Sequence, residues 1–359
     1  MLTAEDQQAL KKAGYLAGSL FRKSKISLLY HAKNKESTPL DGSLLIKLIL
    51  PYNDIDSLSG RMYCSKHPDL NCEEFEYARK LCHPHIQQVV DLVDLPDSGQ
   101  ALIKRMVPGT SLHDLVDALG PLDVRQAYGI FASAWSALHA FTSKDLIHGD
   151  INPENIVLSS GEAHLIDLQT VRSRPPLAPG GFSYFGTKMT DKESEYFPSK
   201  GVSPFTHPSI VNAYILGRSA AVASRVDEFG LASSFLYAVT GERLFSCKLQ
   251  EDDEGVFFDT GERSFRVSVF CPETMQTYTE PLPADEIHCR RDYLLEGITA
   301  PRLLKEDLHA LLQVSEENEF YEPRIHANRR FVEGSHYHRS CLTLRERLTG
   351  FPVQSRAGR

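Results

Sequence analysis

The sequence predicts an α+β chain of two lobes: a small β-rich one over residues 1–107 and a larger, mainly helical one over residues 108–359. Three observations predict it. The first hundred residues alternate short apolar runs with polar turns, and the chain becomes helical after "VPGT" at Val107 to Thr110. The stretch "LIHGDINPENIVLSSGEAHLIDLQTV", Leu146 to Val171, then sets two aspartates and an asparagine around one predicted hairpin. With 359 residues, 42% hydrophobic and 24% charged, the chain is long and apolar enough for two lobes.

In chain order, "KISLLYHA" and "SLLIKLIL" are β-rich runs separated by the polar turn "KNKESTPLDG", the pattern of two antiparallel neighbours. "CEEFEYARKL", Cys72 to Leu81, is a good helix former closed by "HPHI". "QQVVDLVDL" and "QALIKRMV" flank "PDSG", a hairpin turn with Pro, Asp and Gly in place. Pro and Gly at Val107 to Thr110 make a short hinge. Beyond it, "SLHDLVDAL" is a short amphipathic helix, and Asp123 to Phe141 a longer one with Asp123 as its cap. "IVL" and "AHLIDL" are strands about the turn "SSGE". Residues 246–290 carry β-like runs and many acids and read as an insertion or divergent part of the large lobe. "RRDYLLEGITAPRLLKEDLHALLQV" and "CLTLRERL" read as helices closing that lobe, and "VQSRAGR" as a frayed tail.

Composition narrows the function. No apolar run reaches the ~20 residues of a membrane helix, and "MLTAEDQQALKK" has acids where a secretory signal has bases. The chain therefore reads as cytoplasmic, or delivered into a host cell, without membrane insertion. A formal charge of -8 opposes a nucleic-acid partner, which calls for a basic face. Seven scattered cysteines fit reduced thiols. Two groupings, one of Cys64, His67, Cys72, Cys82 and His83 and one of Cys271, His288, Cys289, His336, His338 and Cys341, lack the paired short spacing of structural zinc.

Asp150 and Asn155 lie on the loop entering the predicted hairpin and Asp167 at its exit, so all three polar tips can face one cleft. Phosphoryl transfer from a nucleotide needs such a set. One carboxylate orients the attacking hydroxyl and accepts its proton, while an amide and a second carboxylate hold magnesium.

On these residues the stretch resembles the protein-kinase superfamily, in a divergent bacterial or viral, Ser/Thr-kinase-like form with "HGD" in its catalytic loop. The resemblance runs in order from about residue 15 to residue 245 and implies a bilobal protein-kinase-like fold. It gives Lys47 in "LLIKLIL" the nucleotide's α and β phosphates and Glu74 the pairing with that lysine. Asp227, in "VDEFGLASSFLYAVTGERLF", becomes the buried aspartate that accepts backbone hydrogen bonds from the catalytic loop, with His148 structural beside it. Asp150, Asn155, Asp167 and Lys47 are the implied catalytic set, Asn155 and Asp167 the metal ligands. The implied cofactors are ATP and Mg2+, with Mn2+ as an alternative ion, and the implied partner is a protein substrate, autophosphorylation included. Each residue alone has a plainer reading: an edge lysine, a helix-surface glutamate, a helix-capping aspartate.

Four departures from the family pattern shape the expectation. "RKSKIS" stands where a glycine-rich loop belongs, so Arg22, Lys23 and Lys25 either serve the phosphates or form a solvated basic turn. Asp167 is followed by Leu-Gln, which removes a glycine hinge and implies a fixed Asp167. Gly149 replaces the loop arginine, which implies activity without phosphorylation of the segment carrying Ser183, Tyr184, Thr187 and Thr190. Asn152 replaces the lysine of Ser/Thr kinases, and "HPS" at His207 to Ser209 replaces Ala-Pro-Glu. The alternatives are a small-molecule kinase of the aminoglycoside or choline type, a pseudokinase acting as a binding module, and a nucleotidyl transferase.

Overall fold

The computed structural model describes residues 2–34, 43–56, 64, 69–173, 205–207, 226–245, 248–252, 255–259, 264–267, 284–300 and 302–312. It begins with a helix that the sequence reading lacks, α1 (Ala4–Lys12). Thr3 accepts from the Asp6 N–H and the Asp6 side chain accepts from the Thr3 N–H, a capping box that nucleates the first turn. Asp6 also reaches 91 residues along the chain to Asp97 N at 3.1 Å and to Ser98 Oγ at 2.5 Å, which docks α1 on the hairpin turn.

Strands β1 (Tyr15–Lys23), β2 (Ser27–Asn34), β3 (Leu44–Ile49), β4 (Val89–Leu95) and β5 (Gly99–Arg105) form one antiparallel sheet in the order β1-β2-β3-β5-β4. Helix α2 (Leu70–Ala78) lies between β3 and β4 in sequence. It ends earlier than the predicted Leu81, because the N–H groups of Lys80 and Leu81 close 3₁₀-type bonds to Tyr77 and Ala78. Register matters for the site. Lys47 on β3 faces Leu102 on β5, and Lys104 faces Leu45, so period-2 alternation sends both lysines to one side of the sheet. Ile46 and Ile103 point to the other side and are fully buried with Leu10 and Ile26.

The second lobe starts with β6 (Thr110–Ser111) and α3 (Leu112–Leu119), capped by Ser111. Then come α4 (Val124–Thr142), with a capping box of Asp123 and Gln126, and β7 (Leu146–Ile147). β8 (Ile156–Ser159) and β9 (Glu162–Leu165) form the hairpin, joined by β6 on the β8 side, and β10 (Arg172–Ser173) pairs with β7. Helix α5 (Val226–Thr240) is buried on all sides, as an all-round apolar helix must be, and packs Phe235 edge-on to Phe131 of α4 at 4.7 Å. Within residues 246–290, β11 (Lys248–Asp252), β12 (Gly255–Asp259) and β13 (Ser264–Val267) form an antiparallel sheet. Helices α6 (Ala284–Gly297) and α7 (Arg302–Leu311) follow, with the break between them just ahead of Pro301. "CLTLRERL" and the tail lie outside the described residues.

Two apolar cores result, one under the five-stranded sheet and one among the helices. Ala78, Leu81 and Ile86, which follow or end α2, belong to the helical core. The loop between α2 and β4 is thus held by the second lobe although the sheet surrounds it in sequence. No described helix is long and apolar enough to cross a membrane.

Candidate active site

The first half of the site is a buried charge cluster. Lys47 Nζ lies 2.6 Å from Glu74 Oε2, and the two side chains are 3% and 0% exposed. α2 is aligned for this by Asn71, one turn earlier, which donates to Gln100 O at 2.7 Å and Lys47 O at 3.3 Å. Glu74 has a second cation that sequence reasoning missed: Lys104 Nζ stands 2.5 Å from Oε1 and is equally buried. Burial alone would push the Glu74 carboxyl up, but Lys104 and Lys47 outweigh it and hold Glu74 below the usual carboxylate range. Burial pulls Lys104 below the usual ammonium range, because the carboxylate that opposes this is shared with Lys47. Glu74 is thus one anion placed between two cations. The signal for Lys104 was present in "QALIKRMV": a lysine inside an apolar strand, in phase with buried Leu102, needs a counter-charge.

Lys47 is held from the other side as well. Gln169 Oε1 accepts from Nζ at 2.9 Å, and Asp167 Oδ1 lies 3.5 Å away. The sequence reading noted Gln169 only as a lost glycine. Its buried amide now occupies the ammonium's second side, while Leu168 beside it is fully buried. Asp167 has φ 60° and ψ 72°, a left-handed conformation that costs a non-glycine residue energy and aims its carboxylate back toward Lys47.

The second half is the loop between β7 and β8. Asp227, at the start of α5, accepts from His148 N at 2.7 Å and Gly149 N at 2.8 Å, one bond per carboxylate oxygen. Gly149 has φ 80°, a turn that glycine makes without strain. Gly230 lets α5 touch this loop, for a Cβ there would sit 2.6 Å from Ile151 O. His148 Nδ1 accepts from Asp150 N at 3.3 Å, which fixes the ring proton on Nε2 for donation to Ile166 O at 3.1 Å. The Asp150 carboxylate is gripped by two amides: Asn152 Nδ2 reaches Oδ1 at 2.9 Å and Asn155 Nδ2 reaches Oδ2 at 2.8 Å. The Asn152 carbonyl in turn caps Glu154 N and Asn155 N.

Ile166 N donates to Asn155 O at 3.0 Å, which joins the Asn155 loop to the Asp167 segment. Because the Asn155 nitrogen is spent on Asp150, its Oδ1 faces away from that carboxylate. An amide oxygen and a partly exposed carboxylate are hard oxygen donors, which suits Mg2+. The basic turn contributes differently. Arg22 is exposed and lies 3.9 Å from Glu154 of the loop, exposed Lys23 pairs with Asp56 at 3.5 Å, and Lys25 is exposed. The cysteines Cys64, Cys72, Cys82 and Cys289 are free thiols, and burial pushes Cys64 up to about 11. Among the described residues neither cysteine–histidine grouping comes together as a ligand set. Ser183, Tyr184, Thr187, Thr190 and Ser209 lie outside the described residues.

Comparison with known proteins finds a family model and several relatives. A family model described as "Protein kinase domain" matches residues 62–287, more than half of the chain, and begins beyond Lys47. The chain is similar to the serine/threonine-protein kinase PknD of Mycobacterium tuberculosis, with 31% identity over 141 residues, 38% of this chain and 20% of that protein. It is also similar to PknB of Mycobacterium leprae, 34% over 93 residues (25% and 15%), and to pkn2 of Myxococcus xanthus, 29% over 115 residues (31% and 14%). The chain thus spans about a fifth or less of the length of these relatives.

Proposed function

We propose, because the chain belongs to the protein kinase domain family, that it transfers the γ-phosphoryl group of ATP to Ser/Thr hydroxyls of protein substrates. The observation that carries this reading is the meeting of Lys47, Glu74 and Asp167 beside an Asp150 oriented by Asn155. Lys47 neutralises the α and β phosphates, and Glu74 fixes its position. Asn155 Oδ1 and Asp167 hold Mg2+, which when bound neutralises charge on the phosphates. Asp150 orients the acceptor hydroxyl and takes its proton, and the two amides on its oxygens set the orientation of its carboxylate. His148 and Asp227 are structural, since their bonds shape the loop.

The division of labour follows the lobes: residues 1–107 form the nucleotide-binding lobe, and residues 108–359 carry the catalytic loop and the metal-binding Asp167, with 246–290 a divergent insertion. Arg22, Lys23 and Lys25 serve the phosphates in place of loop glycines. The Arg22–Glu154 contact supports this by laying the turn over the catalytic loop. Dependence on ATP fits the cytoplasm, or a host cell's cytoplasm for a delivered protein. A second reading, a small-molecule kinase, is favoured by Asn152, whose amide is committed to Asp150 and the loop backbone and brings no cation to the transferred group.

The test is incubation with Mg2+ and γ-labelled ATP, alone and with a generic protein substrate, beside Asp150→Ala and Asp167→Ala. Label on protein that both substitutions abolish is the expected result. ATP binding without labelled protein, together with turnover on amino alcohols or aminoglycosides, would establish the second reading instead.

A further inference from the structure

Behind the hairpin that leads to Asp167 is a cluster that the proposed chemistry does not use. The loop from His83 to Ile86 lies against β9: Leu165 N donates to His85 O at 2.8 Å, Gln87 N to Leu165 O at 2.9 Å, and Ile86 and Leu165 form a parallel bridge. This pairing brings His85, Glu162 and His164 together. One ligand atom from each lies within 4.8 Å of the other two, with His85 Nδ1 4.0 Å from Glu162 Oε2. We infer that His85, Glu162 and His164 form a binding site for a zinc-class divalent cation, separate from the Asn155 and Asp167 pair.

An orphaned ring nitrogen supports it. His85 Nδ1 is buried with no hydrogen-bond partner, a costly state for a ring nitrogen that a metal bond would relieve. His83, though adjacent, is already spent: its Nδ1 accepts from His85 N and its Nε2 meets Ser136 Oγ.

Two imidazoles and one carboxylate select zinc or a similar borderline ion over Mg2+ or Ca2+, which prefer oxygen. Ligands of a tetrahedral zinc with bonds of about 2.0 Å stand about 3.3 Å apart. Glu162, with 63% of its side chain exposed, has room to swing in by the difference. The fourth position falls to water. A cation here would clamp the loop after α2 to the strand that ends two residues before Asp167, and it would do so whether or not phosphoryl transfer is the activity.

Chelator-treated full-length chain, kept in excess Mg2+, should take up one Zn2+ in a calorimetric titration. Co2+ should give tetrahedral absorption without a thiolate charge-transfer band. Glu162→Gln, at an exposed position compatible with folding, and His164→Gln should each weaken Zn2+ binding by about tenfold or more, while Asp167→Asn keeps it and loses phosphoryl transfer. Thermal melting in chelator checks that the variants fold, and Glu162→Gln alone decides if His164→Gln does not. The inference is overturned by no Zn2+ binding in the parent chain, by a cobalt–thiolate band, or by affinities in the folded variants within about twofold of the parent.

Discussion

Glu74 and Asp150 are two carboxylates held in opposite ways. Glu74 is fully buried and sits between the ammoniums of Lys47 and Lys104, while Asp150, half-buried on its loop, accepts from the neutral amides of Asn152 and Asn155. The difference follows from water. A charge in a dry interior requires opposite charge, whereas one at a cleft needs only orientation, and neutral donors leave its negative charge available to a reacting proton. The first acid ties two strands of the sheet to α2, and the second is oriented on the loop after β7.

The sharpest way to break this contrast is Glu74→Gln, which removes the carboxylate shared by two buried ammoniums. It should cost about 3–5 kcal/mol in urea unfolding and eliminate activity. Asp150→Asn should eliminate activity with stability unchanged to within about 1 kcal/mol, so a similar loss in both variants would refute the contrast. Next in size is Gly230→Ala, whose methyl would meet Ile151 O at 2.6 Å. It should cost about 1–3 kcal/mol and lower kcat more than the ATP KM, because it displaces the acceptor loop and leaves the Lys47 cluster alone. Lys104→Met should be nearly neutral in stability, within about 1 kcal/mol, since one buried cation then matches one buried anion. The ATP KM should rise, because Glu74 then draws on Lys47 alone and competes with phosphate. An unchanged KM would mean that Lys104 only fills space.

The smallest effect is expected far from both acids. Burial would raise Asp6, but bonds from Ser98, Asp97 and Thr3 hold it below its ordinary value of 3.8. A depressed carboxyl stabilises the fold above its unfolded pKa and loses that contribution as pH falls through the lower folded value. Asp6→Asn should therefore lower Tm at neutral pH and make the melting temperature less steep below about pH 4.

The sequence carried those parts of the fold whose causes are local. The turn residues "PDSG" and "SSGE", the cap Asp123 and the apolar runs around Lys47 sit in elements that correspond to the described strands and helices. What escaped was tertiary. Lys104 becomes legible only once β5 lies beside β3 and α2 crosses both, and His85 meets His164 only because the loop after α2 pairs with β9. α1 was a different kind of omission, since Thr3 and Asp6 already spell its cap.

Asp227 has a consequence for how the protein is made. The two N–H groups that shape the loop at His148 and Gly149 find their acceptor only 79 and 78 residues later in the chain. At synthesis rates of about 5–20 residues per second, that interval lasts about 4–16 s. Throughout it, a nascent chain already carries the turn at His148 and Gly149 but lacks the carboxylate that both N–H groups bond, so that turn gains its native partner only once Asp227 has been added.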